Sequence, residues 1–166
     1  MLNIDLSKAF DMVSWLFLRM ILTHLGFPLV FIRWIMCCIT SVSFGTLING
    51  SVSHSFQAKR GIRQGCPLSP LLFLIVMEGL SKLIASEKRA GRLKSLKIME
   101  QCTLTHLLFV DDMLIFLDGG IQDNNTLSKV LNVFCAATRM EINGSKSSIS
   151  FLYSKTSPSK TSPSKT

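Results

Sequence analysis

The spacing of apolar residues along the chain predicts four helices. Ser14 is a good capping residue for the first, which should end before Gly26 and Pro28. Ser69, followed by proline, is expected to cap the third helix, and Gly91 to close it. The four helices are expected to run from Ser14 to Leu25, over residues 29–40, over residues 69–89, and from Asp123 to Thr138.

Shorter apolar runs predict the strands. Residues 2–6 form one run, residues 147–152 another, and two further pairs are joined by turns at Asn49-Gly50 and Asp111-Asp112. Residues 58–67 lack periodicity and are expected to form an ordered loop. The element order β-α-α-β-β-α-β-β-α-β predicts an α+β fold, an antiparallel sheet with helices packed on one face.

Composition limits the class of protein. The 166 residues suit one domain, expected over residues 1–152, while residues 153–166 repeat Ser-Lys-Thr-Ser-Pro and should be disordered. The hydrophobic content of 48% suggests either a membrane segment or part of a larger protein. Charged residues, glycine and proline break the apolar run at 16–42, and no signal peptide is recognisable, so no membrane segment is expected. The chain is expected to be intracellular, in the nucleus or the cytoplasm, with its five cysteines reduced.

The net charge of +8 leaves the partner open. Without the three lysines of the repeat, fifteen basic and ten acidic residues remain, a balance of +5. Residues 82–97 hold six basic side chains and only Glu87 as an acid. This stripe fits either a nucleic-acid backbone or a solvated helix end, and alone it favours the second.

Asp111 and Asp112 are the first candidates for chemistry. They adjoin Val110 and the apolar residues 113–117, where two neighbouring carboxylates repel each other unless a cation compensates. A simple polar turn is the alternative interpretation. Asp5 also ends an apolar strand, and if that strand is central it brings Asp5 opposite Asp111. Such carboxylates suit two Mg²⁺ or Mn²⁺ ions about 3.5–4 Å apart, as in phosphoryl transfer.

Four segments, in order, carry these and further candidate residues. They are residues 5–11 (Asp-Leu-Ser-Lys-Ala-Phe-Asp), residues 60–73 around Gln64-Gly65, residues 109–112 (Phe-Val-Asp-Asp), and Ile142-Asn143 with Lys146-Ser147. Together they resemble the catalytic motifs of reverse transcriptases, in the form used by non-LTR (LINE-type) retrotransposons. Cys-Pro-Leu-Ser-Pro at 66–70 favours that form over LTR elements and group II intron enzymes.

The resemblance implies a polymerase palm and a role for each matching residue. Asp5, Asp111 and Asp112 would be catalytic metal ligands, assisted by the carbonyl group of Leu6. Lys146 would act on the leaving pyrophosphate, as a proton donor or by its charge. A solvated hairpin lysine is the equally open alternative.

The implied nucleotide pocket contains Phe10, Arg63, Gln64 and Gly65. Phe10 would lie under the sugar and select deoxynucleotides, although ordinary core packing also explains it. Arg63 would contact phosphate or template, or else form a surface ion pair. Asp11 is not assigned to the metals and is expected to cap the following helix.

The resemblance also implies partners and a limit. The partners would be an RNA template, a DNA primer and deoxynucleoside triphosphates; the oligomeric state is left open. Fingers and thumb segments are largely missing from the match, so an RNA-directed DNA polymerase palm with weak or no activity in isolation is expected. A non-catalytic nucleic-acid-binding remnant and a pseudogene product without a selected role are the alternatives.

Overall fold

A computed structural model describes residues 1–94, 96–99 and 102–150. The Ser-Lys-Thr-Ser-Pro repeat and the end of the last predicted strand lie outside these residues. Within the described residues there are five helices: α1 (Ala9–Met12), α2 (Trp15–His24), α3 (Leu29–Thr40), α4 (Ser69–Arg89) and α5 (Ile121–Thr138). The four predicted helices are thus confirmed, and the short α1 was not predicted.

The helix ends follow local chemistry. The predicted cap of α2 is confirmed, because Ser14 Oγ accepts a hydrogen bond from the Phe17 backbone at 3.3 Å. Two other predicted starts were wrong. Ser69 is the first residue of α4 and not its cap, and α5 begins after Gly120. Asp123 is instead buried, and its carboxylate accepts a hydrogen bond from the Lys94 backbone at 3.1 Å.

The strands are short and antiparallel. They are β1 (Leu2–Ser7), β2 (Ser43–Phe44), β3 (Leu47–Ile48), β4 (Ser51–Val52), β5 (Phe56–Gln57), β6 (Leu96–Met99), β7 (Cys102–Leu104), β8 (His106–Phe109), β9 (Asp112–Ile115), β10 (Glu141–Ile142) and β11 (Ser148–Ile149). The predicted turn at Asn49-Gly50 joins β3 and β4. The pairs β2–β5 and β6–β7 and the strand β10 were not predicted.

The central sheet has the order β10-β1-β9-β8, and β11 also pairs with β1. β1 is therefore the central strand that the sequence suggested. Ile4 pairs with Met113 and both are buried, while Asp5 pairs with Asp112. Because side chains alternate between the faces of a strand, the buried residues face the core and the two aspartates face the other side.

The helices pack on the buried face of this sheet, which confirms the predicted α+β architecture. α4 buries eight residues in the core, between α2 and α5. Gly79 permits the close approach of α2, because a Cβ atom there would meet the Phe17 ring at 2.8 Å. Among the described helices, α4 alone is long and apolar enough to cross a membrane, and here it is the central core helix.

Candidate active site

The pairing of β1 with β9 sets the geometry of the acidic residues. Asp5 and Asp112 are cross-strand partners. The Asp5 N–H and C=O groups both bond to residues 143–147, on the other edge of β1. The Asp5–Asp112 pair is therefore of the non-hydrogen-bonded kind, in which Cα atoms lie about 4.5 Å apart and side chains are closest. Two carboxylates thus lie side by side on the open face of the sheet.

Asp111 lies in the turn that precedes β9. The turn consists of Val110 and Asp111, with Val110 at φ 54°. A branched residue in this left-handed region is uncommon and strained. The aspartate pair was expected at the tip of the hairpin, and the structure refines this: Asp111 is at the tip, while Asp112 is the first residue of β9.

One open cavity of about 390 Å³ brings most of the predicted site residues together. Its lining contains Asp5, Leu6, Phe10, Gln64, Asp111 and Lys146. Asp112 stands beside it, opposite Asp5, but does not line it. Arg63 and Gly65 do not line it either. The remaining lining residues are Ser7, Lys8, Ala9 and Asn143.

Lys146 lies over the acidic wall of the cavity. Its Nζ atom is 3.7 Å from Asp5 Oδ2, and the Lys146 side chain is 70% exposed. The cavity therefore contains two carboxylates and, with Lys8, two ammonium groups. Lys8 was not predicted as a site residue. It adopts φ 48° between β1 and α1, where it precedes the first residue of α1.

Phe10 has one ring face in the core. It stacks on Phe73 with centroids 4.8 Å apart and planes 12° apart. Phe10 is only half-buried and also lines the cavity. Both interpretations of this residue are compatible, because core packing fixes the ring at the cavity wall.

The loop at residues 58–67 reaches the cavity through Gln64. The Gln64 amide donates to Asp11 Oδ1 at 3.4 Å, a long contact. Asp11 was expected to cap the following helix. That prediction was wrong, because Asp11 lies within α1 and Ser14 caps α2. Gly65 follows Gln64 at φ 80°, a conformation that glycine adopts without strain.

A second cavity, of about 580 Å³, adjoins the first at Gln64. Arg63 lines this second cavity, together with Arg60 and Asp11. Cys66 also lines it, and the backbone N–H of Leu68 lowers the pKa of that half-buried thiol by hydrogen bonding. Arg63 is thus placed next to the predicted nucleotide pocket but not within it.

The first cavity offers oxygen donors to a metal ion. Among the described side chains, no three Asp, Glu, His or Cys residues form a ready-made metal cluster. Asp5 and Asp111 nevertheless give one wall two carboxylates, and Mg²⁺ binds to one or two carboxylates when substrate phosphates and water complete its shell. The oxygen donors fit a divalent ion that is bound together with a nucleotide.

Comparison with known proteins identifies the fold. A family model described as reverse transcriptase (RNA-dependent DNA polymerase) matches residues 1–163. The chain belongs to the reverse transcriptase family. The predicted resemblance is thereby confirmed, and the fold is a partial palm of that family.

The relatives also support the predicted resemblance to the reverse transcriptases of non-LTR retrotransposons. The chain is 32% identical over 146 residues to the Pol polyprotein of the R2DM element of Drosophila melanogaster, and 30% identical over 132 residues to that of an R2 element of Popillia japonica. These matches cover 87% and 80% of this chain, but only 13% and 21% of the relatives. The chain thus spans about a fifth or less of their length.

Solved structures give the same fold. The telomerase of Candida albicans, determined with a fragment of telomeric RNA, has a TM-score of 0.66 and 16% identity. The match covers 90% of this chain and 27% of the telomerase chain. Telomerase from Candida tropicalis matches with a TM-score of 0.63.

Proposed function

We propose that this chain carries the nucleotidyl-transfer site of an RNA-directed DNA polymerase, which adds deoxynucleotides to a primer 3′ end on an RNA template. One observation carries the proposal: Asp5 and Asp111 share a cavity with Lys8 and Lys146. Acidic groups suit divalent ions, and ammonium groups suit a triphosphate. A deoxynucleoside triphosphate with its metal ions needs both acidic groups for the ions and ammonium groups for the phosphates.

The proposed metal ligands are Asp5 and Asp111, with Asp112 beside them and the Leu6 carbonyl group as a further donor. Two Mg²⁺ or Mn²⁺ ions, when bound, would stabilise charge on the attacking and leaving oxygens. The close Asp5–Asp112 pair supports this assignment, because like charges directly opposite each other on a sheet are destabilising without a counter-charge.

Lys146 is proposed to act on the leaving group. The primer 3′ oxygen forms a bond to the α-phosphorus and loses its proton to water. The bond from that phosphorus to the bridging oxygen breaks, and its electron pair stays on the pyrophosphate. The Lys146 ammonium group gives a proton to that oxygen and later regains one from solvent. Its position over Asp5 supports this role.

Phe10 and Gln64 are proposed to select the nucleotide. Stacking on Phe73 holds the Phe10 ring rigidly at the cavity wall, where it would exclude a sugar 2′-hydroxyl. Gln64 borders both cavities and is proposed to orient the nucleotide, with Gly65 allowing backbone approach. Arg63, in the adjoining cavity, is proposed to contact the template backbone.

Primer extension tests the proposal. The 166-residue chain is mixed with a homopolymer RNA template, a DNA primer, the matching deoxynucleotide and Mg²⁺ or Mn²⁺. We expect weak incorporation, because the chain spans about a fifth or less of its R2 relatives and positioning dominates phosphoryl transfer. Asp111→Asn should abolish it. Asp118→Asn is the matched control, since Asp118 lines a different cavity.

Three other outcomes would each contradict a part of this proposal. Incorporation that survives Asp111→Asn would overturn the assignment of the site. No incorporation, together with salt-dependent RNA binding that Asp5→Asn and Asp111→Asn leave unchanged, would instead support a non-catalytic nucleic-acid-binding protein. Robust incorporation by the isolated chain would overturn the expectation of weak activity.

A further inference from the structure

We infer that Ser147 is a positioning residue for the reaction, holding Lys146 and Asp5 in register through its hydroxyl group. The inference deepens the proposed function and rests on it. Ser147 does not line the cavity, so it is not itself placed to touch substrate. Its action is on the backbone of Asp5.

The edge of β1 that faces β10 and β11 has a gap in its backbone pairing. β11 pairs with β1 at Leu2 and Asn3, and β10 pairs with it at Leu6 and Ser7. Between these two pairings, residues 143–147 leave the ladder and form a turn. The gap falls beside Asp5, whose backbone N–H and C=O groups point to this edge.

Ser147 fills the gap with a side chain. Its Oγ atom accepts a hydrogen bond from the Asp5 N–H at 3.2 Å and donates one to the Asn143 carbonyl at 2.8 Å. The Asn143 N–H donates to the Asp5 carbonyl at 2.9 Å. The three residues thus form a closed ring of hydrogen bonds. Because the site is half-buried, an Asp5 N–H left without this acceptor would be costly.

The same ring fixes the turn that carries Lys146. The N–H groups of Lys146 and Ser147 donate to the Asn143 carbonyl at 3.2 Å and 2.9 Å. The Lys146 side chain is too exposed for packing to hold it. The 3.7 Å distance between Lys146 Nζ and Asp5 Oδ2 therefore depends on the position of the Lys146 backbone. Ser147, the next residue, ties that backbone to Asp5 by accepting a hydrogen bond from the Asp5 N–H.

Three variants of the 166-residue chain separate this role from ordinary stability. Ser147→Ala removes the hydroxyl, Ser147→Thr keeps it, and Ser148→Ala removes the neighbouring hydroxyl. Ser148 is exposed, and in the described part of the chain its hydroxyl has no hydrogen-bond partner. If Ser147→Ala fails to fold, Ser147→Cys takes its place, because it keeps the volume but offers only a weak sulfur acceptor.

The first measurement is amide hydrogen exchange by NMR. We expect Ser147→Ala to speed exchange at the Asp5 amide about tenfold or more, as for a lost hydrogen bond of roughly 1.4 kcal/mol. The Met113 amide in β9 should be unaffected. Ser147→Thr and Ser148→Ala should match the wild type. An unchanged Asp5 exchange rate in Ser147→Ala would overturn the inference, whatever the activity.

The second measurement is single-nucleotide incorporation. We expect Ser147→Ala to lower kcat by about ten- to a hundredfold, with KM for the deoxynucleotide nearly constant, because misplacement affects the chemical step. Ser147→Thr should restore kcat. Faster Asp5 exchange with an unchanged kcat would overturn the inference, since Ser147 would then support only the strand. Absence of Asp111-dependent incorporation in the wild type would overturn the proposed function, and this result is distinguishable because it precedes any change at Ser147.

Discussion

Asp5 and Asp112 lie directly opposite each other on β1 and β9, on the face of the sheet opposite to buried Ile4 and Met113. The two negative carboxylates thus form the type of cross-strand pair in which side chains lie closest together. Such like charges repel each other; Lys146, 3.7 Å from Asp5, compensates part of the repulsion, and a divalent ion held by both carboxylates would compensate more. The chain should therefore respond to divalent ions even without nucleic acid.

Mn²⁺ should stabilise the folded chain through this pair. At an ion concentration ten times the dissociation constant, the gain in unfolding free energy would be about 1.4 kcal/mol. For a chain of this size, that raises Tm by roughly 3–6 °C. Thermal unfolding in EDTA and in Mn²⁺ measures the difference, which should disappear in Asp5→Asn and remain in Asp118→Asn.

The Asp112→Asn variant tests the same pair of carboxylates from β9. In EDTA it should raise the unfolding free energy by about 0.2–1 kcal/mol, because it removes the repulsion from Asp5. In Mn²⁺ its gain should be smaller than that of the wild type. A destabilised Asp112→Asn in EDTA would show that the pair does not repel.

Lys8 should bind the triphosphate. Lys8→Asn removes the charge, and asparagine tolerates the φ of 48° found there. We expect roughly tenfold weaker binding of deoxythymidine triphosphate, the loss of about one charge-assisted hydrogen bond. Calorimetric titration in Ca²⁺ measures it. Lys59→Asn is the control, because Lys59 lines another cavity; equal losses in both variants would indicate only a general charge effect.

The sequence predicted those parts of the site that local patterns encode. Apolar runs located β1 and the β8–β9 hairpin, and helical spacing located α3 from Leu29 to Thr40 as observed. These elements place Asp5 and Asp111 together. The motif order supplied Gln64 and Lys146, which line the same cavity.

The missed features depend on contacts between distant residues. β2, β5 and β10 are exposed two-residue strands, too short to show a period of two. The Asp5 N–H donates to the hydroxyl of Ser147, 142 residues further along the chain, where a backbone carbonyl of a neighbouring strand would normally accept. No local pattern in the sequence predicts that a side-chain hydroxyl takes the place of a backbone acceptor.

His106 should make stability depend on pH. Its ring nitrogens are 2.9 Å from Thr105 Oγ1 and 3.0 Å from Ser81 Oγ, which joins β8 to α4. Burial lowers the pKa of His106, Glu78 acts in the opposite direction, and Lys88 adds to the lowering. The unfolded chain therefore takes up the proton more readily. The stabilising contribution is complete above about pH 6.5 and is lost as the pH falls from there through the lower pKa of the folded state.

Urea unfolding between pH 7.5 and 5 measures this loss. His106→Gln keeps hydrogen-bonding groups but does not titrate, so its urea midpoint should fall less with acidity than that of the wild type. His24→Gln is the control, since His24 is exposed and shows no such contacts in the described residues. A His106→Gln curve parallel to the wild type would contradict the assignment.

Gly61 should be essential for joining the Gln64 loop to residues 11–15, where α1 ends and α2 begins. Its N–H donates to the Val13 carbonyl at 2.8 Å, and its carbonyl accepts from Trp15 Nε1 at 2.6 Å. A Cβ atom at Gly61 would lie 2.6 Å from the Asp11 carbonyl oxygen, and φ is 84°. Gly61→Ala therefore combines backbone strain with a clash against another backbone.

Gly26 separates the two effects. It has nearly the same φ, 82°, but nothing within 4 Å of an added Cβ atom. Gly26→Ala should thus cost only the strain of the left-handed conformation, about 1–2 kcal/mol of unfolding free energy. Gly61→Ala should cost more, and should also weaken nucleotide binding because Gln64 moves with the loop. Urea unfolding and nucleotide titration of both variants test this. Equal costs, with nucleotide affinity unchanged in both, would mean that the Gly61 contact does not hold the loop at the cavity.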